Sequence, residues 1–133
     1  TSAHAELEGL ISREKIDFLQ FNYNIMERSA EQRLLPKAID RGVGVIINEP
    51  FASGNLFRTV RGKTIPEWAA EWDITSWAQF FLKFIAADPR VTVITPATSR
   101  AANMTDNLGA AVGRLPDAAM RRRMIEHVAA LPS

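Results

Sequence analysis

Three polar clusters in this chain each close a short run of apolar, β-branched or aromatic residues, and each carries groups able to hold a ligand. Gln20, Asn22, Tyr23 and Asn24 close the run from Ile16 to Phe21, and Asn48-Glu49-Pro50-Phe51 follows Val43 to Ile47. Pro96-Ala97-Thr98-Ser99-Arg100 follows Val91 to Thr95. The third cluster is the richest. Two hydroxyls, a guanidinium and the unpaired backbone N–H groups of a following helix together form an anion site of phosphate size. Arg100 opposes the dipole of that helix, a placement that an anionic ligand explains and that an ordinary exposed arginine also fits. Gln20 has a plain reading too, as a polar residue finishing a strand, and Asn48-Glu49-Pro50 reads most simply as a turn, since proline removes a ladder donor.

Composition removes several other chemistries. The chain has no cysteine, so disulfides, thiol catalysis and thiolate metal sites are out, and its two histidines, His4 and His127, lie at opposite ends without ligand spacing. Sixteen basic against 15 acidic residues leave a formal charge of +1, with no single-sign field directed at nucleic acid or an anionic membrane. The Arg121-Arg122-Arg123 run faces several sides of a helix and reads as solvated. No apolar run approaches the roughly 20 residues that a membrane helix needs. The compartment defaults to the cytoplasm, any export signal lying upstream of Thr1.

The elements that position the three clusters follow from periodicity. Leu7, Leu10 and Ile11 recur at helical spacing behind a Ser2 cap, giving a helix over 3–13. Residues 16–22 suit a strand buried on both faces. Ser29 with Gln32 forms a capping box for a helix whose stripe is Leu34, Leu35, Ala38 and Ile39, ending near Gly42; a strand over 43–47 follows at once. Residues 49–73 read as a long functional loop or lid. Trp77, Phe80, Phe81, Phe84 and Ile85 make a strong helix face behind Asp73 or Thr75 as cap, stopping at Asp88-Pro89. A strand over 91–95 leads to a helix capped by Thr98-Ser99 and carrying Met104, Leu108 and Ala111, and a last helix from Asp117 places Met120, Met124 and Val128 on one side. Trp68, Trp72 and Trp77 read as packing residues, the first two also placed where they could edge a substrate pocket.

Helix, then three strand–helix units, is the order of an α/β fold with a parallel sheet. A (β/α)8 barrel spends about 30 residues per unit, so 133 residues supply part of one: about three parallel strands with four to five helices in a single segment. Ligands in such barrels sit at the C-terminal ends of strands, where all three polar clusters fall, and phosphate binds commonly after the seventh and eighth. Both edges of a three-stranded sheet are bare unless something pairs with them.

The stretches IDFLQFNYNIMERSAEQRLLPKAIDRGVGVIINEPFASGNLF, WAQFFLKFIAADPRVTVITPATSR and NMTDNLGAAVG resemble the last three barrel units of an aldo/keto reductase. The most specific piece is Pro96, Thr98, Ser99 and Arg100 set against Asp106-Asn107. The resemblance implies NADP(H) as cofactor and an aldehyde or ketone as substrate in the complete barrel. It implies that Gln20 bonds the nicotinamide carboxamide and that the backbone from Glu49 through Pro50, Phe51 and Gly54 to Leu56 follows the pyrophosphate. Thr98, Ser99 and Arg100 would hold the 2′-phosphate, with Asn103, Asp106 and Asn107 around the adenine. Two positions depart from the family: Asn48 stands where many members have a tyrosine that stacks on nicotinamide, and Glu49 where they often have serine. The family's proton-donor tyrosine and its Asp, Lys and His partners come from the first four units, and no stretch here matches them; Tyr23, the only tyrosine, lacks the neighbourhood. Two readings compete: the C-terminal, cofactor-binding part of a carbonyl reductase completed by its N-terminal half, or a non-catalytic half-barrel that binds nucleotide or pairs with a second copy of itself.

Overall fold

The computed structural model describes residues 3–132. The Ser2 cap lies outside them. The chain alternates helix and strand: α1 (His4–Arg13), β1 (Phe18–Asn22), α2 (Leu34–Asp40), β2 (Gly44–Asn48), α3 (Asn55–Thr59), α4 (Trp77–Ala86), β3 (Val93–Ile94), α5 (Ala101–Leu108) and α6 (Ala118–Ala129). Short 3-10 turns at Ser29–Glu31, Ala52–Gly54, Glu67–Trp72 and Gly109–Ala111 fill much of the space between them. This is the α/β order expected, with α3 and two of the turns lying inside the segment read as loop.

The strands form one parallel sheet in the order β1-β2-β3, with Phe18 opposite Gly44 and Asn22 opposite Asn48. Backbone bonds flank β3 on both sides, from the Thr92 and Thr95 N–H groups to the carbonyls of Val45 and Ile47. The Val45 N–H is diverted to the Thr92 hydroxyl at 2.9 Å, which limits the regular ladder to two residues within the expected 91–95.

Burial on both faces of β1 does not hold. Leu19 and Phe21 are buried, while Phe18 is 60% exposed and Gln20 is exposed. The core of the described residues gathers on one face of the sheet, where Leu19, Phe21, Val45 and Ile47 meet Leu34, Leu35, Phe80 and Phe84. The other face is the more open one, exposed at Phe18 and Gln20 and half-buried along β2, so strand side chains alternate in burial with period two. On the open face the Phe18 ring lies against Gly44, where a Cβ would stand 2.6 Å from it.

Local chemistry explains where other expectations failed. The Ser29/Gln32 capping box does not form; Ser29 begins a 3-10 turn, and α2 starts only at Leu34. Pro36 is the cause: its ring would strike the carbonyl four residues earlier, at Gln32, and proline is tolerated in a helix's first turn alone. The end of α2 is as expected, with Gly42 at φ +66° and the Val43 N–H reaching back to Ala38. Ser76, rather than Asp73 or Thr75, caps α4 by accepting from the Gln79 N–H at 3.0 Å. That helix buries Phe80, Phe81, Leu82, Phe84 and Ile85, a gross hydrophobic contribution on the order of 10 kcal/mol.

Thr98-Ser99 does not cap α5: Arg100 is the capping position and no side chain bonds there, while the Thr98 hydroxyl accepts from the Arg100 N–H. The expected stripe of α5 is also turned outward. Met104 and Leu108 are exposed, and Asn107 and Ala110 are the buried residues. In α6, capped by Asp117, the stripe of Met120, Met124 and Val128 is buried as expected.

Arg121 departs from a solvated face. It reaches across to Tyr23, whose buried hydroxyl accepts from Arg121 Nη2 at 2.6 Å and donates to Glu31 at 2.5 Å, and it also bonds Glu31 and the Phe84 carbonyl. Burial and the Glu31 bond push the Tyr23 phenol well above its usual range. Held between a guanidinium and a carboxylate, Tyr23 is a packing residue.

Candidate functional site

The end of β2 is a loop of left-handed backbone. Glu49, Ala52 and Ser53 all have φ between 50° and 54°, and Gly54 follows at 83°. Non-glycine residues at positive φ are uncommon and cost free energy, and three within five positions mark a loop held in place by its surroundings. Asn24 supplies part of that hold. Buried after β1, it donates from Nδ2 to the Glu49 carbonyl at 3.0 Å, while its Oδ1 accepts from the backbone N–H groups of Met26 and Glu27. The Glu49 carboxylate accepts from the Ser53 hydroxyl at 2.6 Å, so part of its charge is turned back into the loop.

Two cavities adjoin this loop and share Phe51, Phe57 and Ala97. One, of about 250 Å³, is lined by Glu49, Pro50, Phe51, Ser53, Gly54 and Thr95 among others. The other, of about 370 Å³, runs on to Trp77, Thr98, Asn103, Asp106 and Asn107. Its aromatic side is closely packed: Phe51 and Phe57 lie 4.8 Å apart between ring centroids, and the Trp77 indole N–H donates to the Lys63 carbonyl at 2.9 Å. Gln79 anchors the polar side. Its Oε1 accepts from the N–H and hydroxyl of Thr75, and its Nε2 donates to the carbonyl and carboxylate of Asp106, tying the start of α4 to α5. Gly109 leaves room for that amide, since a Cβ there would stand 2.4 Å from Gln79 Nε2.

The residues singled out by sequence therefore separate into groups. Glu49, Pro50, Phe51, Gly54, Thr98, Asn103, Asp106 and Asn107 line the joined cleft. Gln20 and Asn48 point to the open face of the sheet, in adjacent strands, and the Asn48 Oδ1 is buried without a hydrogen-bond partner. Ser99 and Arg100 are exposed and line neither cavity. Leu56 is fully buried in the core, so only its backbone is open to a role. Sequence reasoning missed Asn24 as the loop's anchor and Gln79 as the cleft's. A signal for Gln79 was present in Ser76-x-x-Gln79, a capping-box spacing directly before the apolar face of α4.

The model of the aldo/keto reductase family matches residues 5–125. The chain belongs to the aldo/keto reductase family. No curated protein matches it. Among solved structures, it is similar to a thermostable aldo-keto reductase, Tm1743, crystallised with the inhibitor epalrestat, at 26% identity and a TM-score of 0.65, covering 91% of this chain and 43% of that one. It is also similar in fold to the aldo-keto reductase AKR11C1 from Bacillus halodurans, at 18% identity and a TM-score of 0.64, covering 94% of this chain and 46% of that one. The chain thus spans less than half the length of these aldo/keto reductases, and its three-stranded parallel sheet matches only part of their fold.

Proposed function

We propose that this chain is the C-terminal, NADP(H)-binding part of an aldo/keto reductase, and that the cleft between the 49–54 loop and α5 takes the adenosine and diphosphate end of the cofactor. The observation that carries this reading is the cleft itself, with left-handed backbone at one end and Phe51, Phe57 and Trp77 facing Thr98, Asn103 and Asn107 at the other. Aromatic faces suit a purine ring, and hydroxyl and amide groups suit its edges and ribose. Arg100, exposed at the rim, would meet a 2′-phosphate from outside together with Ser99 and Thr98. The Ser53 bond to Glu49 reduces the repulsion that a free carboxylate would exert on a diphosphate.

At the other end, the unpartnered Asn48 Oδ1 is an acceptor suited to a carboxamide N–H, and Gln20 stands one strand away. An amide offers no aromatic face, so Asn48 would fix the nicotinamide by its edge. NADPH, when bound, supplies hydride to a carbonyl carbon. The proton donor of that reaction would come from the N-terminal units of the barrel. Calorimetric titration of the chain with NADPH tests the reading: saturable binding weakened by Asn103→Leu supports it, and no heat at millimolar nucleotide rejects it.

A second reading is favoured by a separate observation. β1 and β3 are both sheet edges, and Met104 and Leu108 are exposed beside an apolar cavity of about 470 Å³ bounded by α4, β3 and α5. Such a surface needs a cover, either the N-terminal half of the barrel or a second copy of this chain. Light scattering separates these, since a stable monomer excludes self-pairing.

A further inference from the structure

A fourth cavity, of about 590 Å³, opens between the loop after β1, α3 and the C-terminal part of α6, and shares no residue with the cleft described above. Its walls include Met26, Ile125, Val128 and Leu131, and its charged residues are Arg28 and Arg58. No carboxylate lines it. Among the described residues neither arginine forms an ion pair; Arg58 bonds the neutral side chain of Asn55, and Arg28 Nη1 is buried with no acceptor at all. A desolvated guanidinium N–H without a partner is costly, and natural folds complete such groups with an ordered water, an ion or a ligand.

We infer that this cavity binds an anionic amphiphile, with a carboxylate or phosphate head between Arg28 and Arg58 and an aliphatic tail along Ile125, Val128 and Leu131. The guanidinium fork matches either head through two parallel N–H···O bonds. The volume lies in the range of small-molecule sites. Met26, 63% exposed at the mouth, has an unbranched side chain able to fold over a flexible tail. An uncharged tail alone would leave Arg28 Nη1 without an acceptor, and an inorganic anion alone would leave the aliphatic walls wet.

The test is calorimetric titration of the chain with decanoate, decyl phosphate, decanol and inorganic phosphate, all below micelle-forming concentrations. Decanoate or decyl phosphate should bind in a 1:1 ratio, the tighter of the two naming the head group, with decanol and phosphate at least tenfold weaker. Arg58→Glu changes an exposed side chain, so the variant should melt as the parent does and lose at least tenfold in affinity; Arg28→Met should lose as much. NADPH titration should be unchanged by saturating amphiphile. Decanol binding as tightly as decanoate, or Arg58→Glu without effect, overturns the inference. Binding confined to vesicles of phosphatidylglycerol also overturns it, because the arginines would then be a membrane contact.

Discussion

Replacing Asn24 by alanine should both destabilise the chain and loosen the loop after β2. The side chain is 2% exposed and makes three hydrogen bonds, to the Glu49 carbonyl and to the N–H groups of Met26 and Glu27. Each such bond contributes a net 0.5–1.5 kcal/mol, so Asn24→Ala should cost about 2–4 kcal/mol. With an m-value of about 2 kcal/mol/M, the urea midpoint should fall by roughly 1.5 M. Asn24→Asp is the informative companion. It keeps both acceptor bonds but sets a buried carboxylate oxygen against the Glu49 carbonyl in place of the donated bond, so its cost should be about 2 kcal/mol or more and should fall mainly on the 49–54 loop. Urea unfolding followed by tryptophan fluorescence measures the first effect, and amide hydrogen exchange at Ala52 to Leu56 measures the second. A loss below about 0.5 kcal/mol for Asn24→Ala, or unchanged exchange in the loop for Asn24→Asp, would refute the role given to this residue.

Three further outcomes are expected. Gly113→Ala should destabilise by about 2 kcal/mol or more, because Gly113 sits at φ +76° and a Cβ would stand 2.6 Å from Asp73 Oδ2, and chemical unfolding reads it directly. Burial opposes ionisation of Asp88, yet the Arg90 side chain and backbone N–H, with Arg121 behind them, hold its carboxyl below the usual range. A depressed folded pKa gives stability that is complete above the unfolded value near 3.9 and is lost as pH falls through the folded one, so thermal melts should lose part of their acid dependence below about pH 4 in Asp88→Asn. Glu49→Gln should tighten NADPH roughly fivefold, the effect of removing one screened charge about 4 Å from a phosphate, as measured by calorimetry at low salt.

Much of the fold was legible because the signals were local. Five aromatic and aliphatic residues at helical spacing make α4, Gly42 ends α2 where a left-handed residue is needed, and three short apolar runs pair as a parallel sheet. Where the structure departs from expectation the cause is local as well, since Pro36 forbids the Ser29 capping box. What sequence could not reveal were pairings across the chain. Arg121 lies 98 residues from the Tyr23 hydroxyl it bonds, and nothing in a three-arginine run marks which one turns inward. The cleft residues were found because they follow strand ends. Asn24 and Gln79, which position them, act through bonds 25 and 27 residues away. Exposure of one face of β1 likewise depends on what covers the sheet, a property no strand carries in its own residues.

The most direct test of the cofactor reading is whether this chain distinguishes a 2′-phosphate. Titration with adenosine 2′,5′-bisphosphate and with adenosine 5′-monophosphate, followed by calorimetry, should show the bisphosphate binding at least tenfold tighter. Arg100→Ala should erase most of that difference while leaving the monophosphate unchanged. Equal affinity for the two nucleotides in the parent chain, or a preference that survives Arg100→Ala, would remove the NADP(H) assignment.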